Sequence, residues 1–231
     1  MVLAAAFPLG LFAAGRLLRL TTEDALTSVA SNYVQAAADA VVLVVVAVVM
    51  VAARLRWHPV LREDQRRRSV VVALLLALWA VGVVAQLFVP LEAGSAPFVV
   101  SLLVLVVLVS AAEETVYRGA LVAGLRGTVP EWAVWLISTV LFALAHLGSA
   151  LIGGNPGQLT TTFVLGSACY AARRVSGTLA GAVAVHALYD FSIGLRTRAA
   201  AALPTSLILG TGLVFMAVAV AGAVLTIRRG R

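Results

Sequence analysis

The sequence predicts an all-α protein: a polytopic transmembrane helix bundle of about seven or eight spans, with a polar site inside the bundle. Three observations carry this. The 231 residues are 62% hydrophobic and only 12% charged, and mean hydropathy is +1.05, whereas a soluble domain is near half apolar and a quarter charged. Apolar runs near the length of about 20 residues needed to cross the hydrocarbon core recur along the chain. The charge is confined mostly to the segments between those runs.

The runs fall at 33–53, 69–89, 97–125, 131–152, 159–172, 178–195 and 204–227. The run at 159–172 is short and has charged neighbours. A further apolar stretch, "LAAAFPLGLFAAG" at 3–15, lacks the basic n-region of a signal peptide. It reads as an eighth span or an interfacial helix, so whether residues 3–20 cross the membrane stays open. No internal repeat or Gly/Ser linker divides the chain, and residues 1–231 read as a single integral membrane domain.

All 17 basic residues are arginines, and the net charge is +7. They cluster at the edges of apolar runs, which fits topology determinants and excludes a nucleic-acid surface. "RLRWHPVLREDQRRRS" carries six of them and is expected in the cytoplasm, as are "ARRVSG" and the C-terminal "IRRGR". "PLEAGSAP" and "GSALIGGNPGQ" carry none and are expected outside. Arg196 and Arg198 run against the rule, as do Arg16 and Arg19 if the first run spans. The all-Arg, Ala/Val-rich composition suggests a high-GC coding sequence, and a bacterial plasma membrane is the expected location. The single cysteine, Cys169, reads as a buried, inert thiol.

Within the runs lie seven ionisable residues: Asp39, Glu113, Glu114, Arg118, His146, His186 and Asp190. A charged side chain at mid-membrane costs roughly 2.5–3.5 kcal/mol on insertion scales, so Glu113, Glu114 and Arg118 in isolation would cost on the order of 8–10 kcal/mol. Pairing or a wet cavity must offset this. Glu114 and Arg118 are spaced i,i+4 on one helical face and form the natural ion pair. Glu113 lies about 100° around the helix and faces elsewhere, where poor solvation suits it to acid–base work. "FALAH" puts Phe142 and His146 on one face, and "HALYD" does the same for His186 and Asp190, whose carboxylate can orient the ring. At about 1.5 Å per residue, Glu113 sits roughly 24 Å below the outer end of its helix, His146 about 22 Å above the inner end of the next, and His186 and Asp190 about 12–18 Å above theirs. One layer can hold all four. Asp39 reads as an interfacial cap, and Tyr117, Phe142 and Tyr189 as packing residues.

"EETVYR", "FALAH" and "HALYD" fit the ordered patterns E-E-x-x-x-R, F-x-x-x-H and H-x-x-x-N/D. In these residues the chain resembles the CPBP family of CAAX proteases and bacteriocin-processing enzymes, which includes type II CAAX prenyl endopeptidases and the Abi proteins. The resemblance covers about 97–195. It implies an intramembrane endopeptidase with a cytoplasm-facing site. Glu113 would be the catalytic carboxylate, with His146 as its partner in activating water. His186 and Asp190 would position or polarise the scissile carbonyl, and Glu114 and Arg118 would support the architecture. Asp190 stands where many eukaryotic members carry asparagine, so no role requiring an amide donor is implied.

The family's chemistry has been described both as zinc-dependent and as metal-free. If a metal is bound, Glu113, His146 and His186 are the expected ligands, and a zinc cofactor and no cofactor both stay open. H-E-x-x-H, the strong zinc signal, is absent. A peptide or membrane-protein substrate and the lipid bilayer are the expected partners, and oligomeric state is not legible. Two rival functions are a catalytically silent scaffold or bacteriocin-immunity protein and, less favoured, a proton-coupled transporter, for which pseudo-symmetric halves are missing.

Overall fold

The structure, a computed structural model, describes residues 28–152 and 155–227. The apolar stretch at 3–15, Arg16, Arg19 and the arginines after Ile227 lie outside the described residues. Among those described the chain is helical, with no β-strand and only isolated bridges.

In chain order the helices are α1 (Val29–Ala52), α2 (His58–Leu61), α3 (Val70–Gln86), α4 (Ala96–Glu114), a π-helical segment (Thr115–Leu121), α5 (Val122–Leu125), α6 (Glu131–Leu144), α7 (Leu147–Ile152), α8 (Gly157–Ser176), α9 (Leu179–Arg196) and α10 (Thr205–Ile227). Local chemistry sets the starts and stops. Ser28 and Ser69 cap α1 and α3 by accepting from the amides of Ser31 and Val72. Pro130 and Pro156 precede α6 and α8. Gly177 ends α8 at φ 83°, a left-handed conformation that glycine adopts without a Cβ clash.

Three helical stretches are long and apolar enough to cross a membrane: Val29–Ala52, the continuous Ala96–Leu125 and Thr205–Ile227. Val70–Gln86 and Glu131–Leu144 are apolar but shorter, and α8 and α9 carry more polar groups. Val41, Val44, Val48 and Val51 form an exposed stripe on α1, and Leu74, Leu78 and Val81 do so on α3. Such faces suit a hydrocarbon solvent.

Loops gather at two ends. At one end, Glu63 and Arg67 donate backbone N–H bonds to the carbonyls of Gly177 and Arg174, which docks the Arg-rich loop beside the end of α8. At the other end, Glu92 donates to the Arg198 carbonyl and Ala200 to that of Pro90. Arg196 and Arg198, the exceptions to the charge rule, therefore lie at the end opposite the Arg-rich loop. Between the ends, α4 packs on α1 and α9, while α8 packs on α6, α9 and α10.

The structure departs from the sequence expectations in four places. The helix expected over 97–125 turns π-helical directly after Glu114. The run at 131–152 breaks at Ala145–His146 into α6 and α7. The Arg-rich loop, read only as a topology determinant, contains a short helix and buries Glu63 against Arg173 at 3.0 Å and Arg126 at 2.8 Å. Asp39 is fully buried in the middle of α1, whose N-cap is Ser28, and so is not a cap.

Candidate active site

Glu113 and Glu114 are the last two residues of α4, Arg118 lies on the π-helical segment, His146 follows α6, and His186 and Asp190 sit one turn apart on α9. The side chains of Glu113, Glu114 and Arg118 are wholly buried, and His146 and His186 nearly so. Four parts of the chain thus bring these six residues together.

Glu114 is the junction. Its Oε1 accepts from Arg118 Nη1 at 3.0 Å and from His186 Nδ1 at 2.9 Å. The first bond is the i,i+4 pair read from the sequence. The second crosses 72 positions and had no signal in the spacing. π-Helical segments widen a turn and occur frequently at functional sites; this one follows directly on the two carboxylates.

Glu113 faces away from that junction, as the helical spacing predicts. Its Oε2 lies 3.9 Å from Nε2 of His146 and 3.9 Å from Nε2 of His186. That is too long for a direct hydrogen bond. His146 Nδ1 is 2.9 Å from the Phe142 carbonyl oxygen. A carbonyl only accepts, so Nδ1 carries the proton and Nε2 is the lone-pair nitrogen of the neutral ring. On His186, Nδ1 faces the Glu114 carboxylate, while Nε2 is 3.4 Å from Asp190 Oδ2. The Asp190 contact was expected from i,i+4 spacing, but the closer orienting partner is Glu114.

Phe142, read from sequence as a packing residue, underlies the whole layer. The Arg118 guanidinium carbon stands 4.2 Å from its ring centroid. The rings of His146, Tyr117 and His186 meet it edge-on at 5.0, 5.4 and 5.6 Å. Space for Arg118 comes from Gly166 on α8, where an added Cβ would lie 2.5 Å from Nη2. Gly166 was not singled out in the sequence, although its "LGSACYAA" context is the small-residue pattern of close helix packing.

Two sets of residues have metal-binding donor types. Glu113 Oε2 lies 3.9 Å from Nε2 of His146 and from Nε2 of His186, wider than the roughly 3.3 Å between neighbouring ligands at a tetrahedral zinc. Among the described residues the three donors of this set are not all within 4.8 Å of one another, so the arrangement as it stands does not close around an ion. Glu114, Cys169 and His186 do lie within 4.8 Å of one another and are buried. There, however, the Glu114 and His186 donor atoms bond each other and Arg118 adds a cation, so the geometry suits an ion pair better than a metal.

Residues 95–192 match the family model described as Rce1-like, type II CAAX prenyl endopeptidase Rce1-like. The matched segment contains Glu113, Glu114, Arg118, His146, His186 and Asp190. Comparison with curated proteins found no match, and comparison with solved structures found none either.

Proposed function

We propose, from the CAAX-protease family domain that the chain carries over residues 95–192, that this protein is an intramembrane endopeptidase in which Glu113 and His146 activate a water. The carrying observation is the single Glu113 oxygen placed 3.9 Å from both histidine Nε2 atoms. A water in that gap would give a proton to the carboxylate or to the lone-pair nitrogen of His146 and attack the scissile carbonyl. His186, with carboxylates at both ring nitrogens, would donate to the developing oxyanion, with Asp190 positioning it. Collapse of the tetrahedral intermediate returns the proton to the leaving amine, so one water is consumed per bond broken. Glu114 and Arg118 act as positioning residues that hold His186.

The reading includes a single membrane domain over 1–231, with α1, α3, α4 to α5, α6, α8, α9 and α10 as seven spans. Loop alternation between two ends supports that count. The end holding the Arg-rich loop faces the cytoplasm of a bacterial cell by charge bias, and a site reached from that side is part of this reading, with Glu113 twelve residues from Leu125 in the continuous helical stretch, about 18 Å along the axis. Substrates are peptides or membrane proteins with a segment that unfolds into the site.

Proteolysis in water enriched in heavy oxygen tests the reaction class. A hydrolase leaves new C-terminal carboxylates carrying the heavy isotope. Absence of new termini in any membrane-protein or peptide pool would favour the silent scaffold.

A further inference from the structure

The end of the bundle that gathers the arginines holds a second polar site, built from other residues. Arg174 stands eight positions beyond Gly166 on α8, about 12 Å along the axis. A cavity of about 320 Å³ opens there, lined by Gln65, Arg67, Arg126, Glu131, Arg174 and Thr226 among others. These residues come from the Arg-rich loop, the turn before α6, and the ends of α6, α8 and α10.

Charge in this cluster is unbalanced. Glu131 accepts from both arms of Arg126, from Arg174 and from Tyr170, and Glu63 accepts from Arg173 and pairs with Arg126. With the exposed Arg67, four guanidinium groups meet two carboxylates, which leaves two positive charges over among the described residues. Arg173 Nη1 is buried without a hydrogen-bond partner. Burial opposes a charge on Arg126, but its hydrogen bond to Glu131 and the charges of Glu63 and Glu131 hold its pKa above the ordinary arginine value. In the lining itself Arg67, Arg126 and Arg174 face one carboxylate, that of Glu131, so the cavity carries a net positive charge.

The surroundings indicate which anion. Val220, Val224 and Ile227 form one exposed apolar face on α10 that ends beside Thr226. Trp132, about half exposed, follows Glu131 at the start of α6, and tryptophan is enriched where helices meet the headgroup layer. We propose that the cavity binds the phosphate of an anionic phospholipid, with Arg67 and Arg126 at the headgroup and an acyl chain along the exposed face of α10. Basic pockets between helix ends on the cytoplasmic side are a known mode of lipid recognition.

The test uses the full chain in neutral detergent, titrated with phosphatidylglycerol or phosphatidylcholine and read by native mass spectrometry. A parallel arm compares thermal unfolding in inorganic phosphate and in chloride at equal ionic strength. Phosphatidylglycerol should bind about tenfold more tightly, and Arg67→Gln should weaken it about fivefold, the factor for one arginine at an anionic surface. Arg67 offers only its backbone to Arg174, so the variant should unfold at the wild-type temperature. Equal retention of the two lipids by the wild-type chain would overturn the proposal, as would stabilisation by free phosphate without lipid preference. Unchanged lipid binding by Arg67→Gln would overturn it too.

Discussion

His186 Nδ1 and Arg118 Nη1 converge on one oxygen of Glu114, at 2.9 and 3.0 Å, with all three side chains buried. A carboxylate thus ties the histidine of one helix to the arginine of another and fixes the imidazole in orientation.

Glu114→Gln should therefore act mainly on stability. It leaves Arg118 as a buried cation without its counter-charge, a loss of about 3–5 kcal/mol. For a chain of this size that lowers the melting temperature in detergent by roughly 10 °C. Arg118→Lys should not rescue an Arg118→Ala defect, because an ammonium lacks the planar fork stacked on Phe142. Tryptophan fluorescence during heating reads both.

Phe142→Leu keeps an apolar side chain beneath the site but removes the ring that Arg118, His146 and His186 all touch. The lost cation–π contact costs about 0.5–2 kcal/mol. With both histidines loosened, turnover should fall about tenfold or more while the protein stays folded. A fall in kcat with little change in KM, on a protein that still elutes as a sharp peak in size-exclusion chromatography, is the expected pattern.

Two glycine substitutions should differ in sign. At Gly166 a Cβ would meet Arg118 Nη2 at 2.5 Å, Phe142 Cδ1 at 3.1 Å and Thr139 Cγ2 at 3.2 Å. Gly166→Ala should destabilise by about 1–3 kcal/mol and reduce cleavage through displaced Arg118. Gly210 on α10 has nothing within 4 Å of the Cβ position. There alanine should be neutral or stabilising by up to about 1 kcal/mol. Paired melting curves check the contrast.

Much of the site was legible because its chemistry is unusual for the solvent. Charged residues in apolar helices stand out, and i,i+4 spacing correctly paired Glu114 with Arg118 and His186 with Asp190. The bond from Glu114 to His186 was not legible, because it depends on how α9 rotates against α4. Nor was the π-helical turn after Glu114, since no residue type in "TVYRGAL" demands it. Phe142 is a buried packing residue, as read, but its contacts with Arg118, His146 and His186 were not legible because an aromatic in an apolar run looks like any other core residue. Hydropathy likewise overstated uniformity along the chain. Three helices meet the length and composition of a span, whereas α8 and α9 carry the polar residues that the site and the arginine cluster need.

The central claim is that Glu113 performs chemistry while Glu114 performs architecture. Its most direct test is cleavage of a quenched peptide library in detergent by wild type, Glu113→Gln and Glu114→Gln, each with its melting temperature and each with and without a zinc chelator. Glu113→Gln is isosteric and removes a buried charge, so it should melt within about 1 kcal/mol of wild type and cleave nothing. Glu114→Gln should melt early but retain measurable cleavage below its transition. Loss of wild-type cleavage on chelation would assign the zinc to Glu113, His146 and His186, and persistence would assign the water to Glu113 and His146 directly. Undiminished cleavage by folded Glu113→Gln would contradict the account.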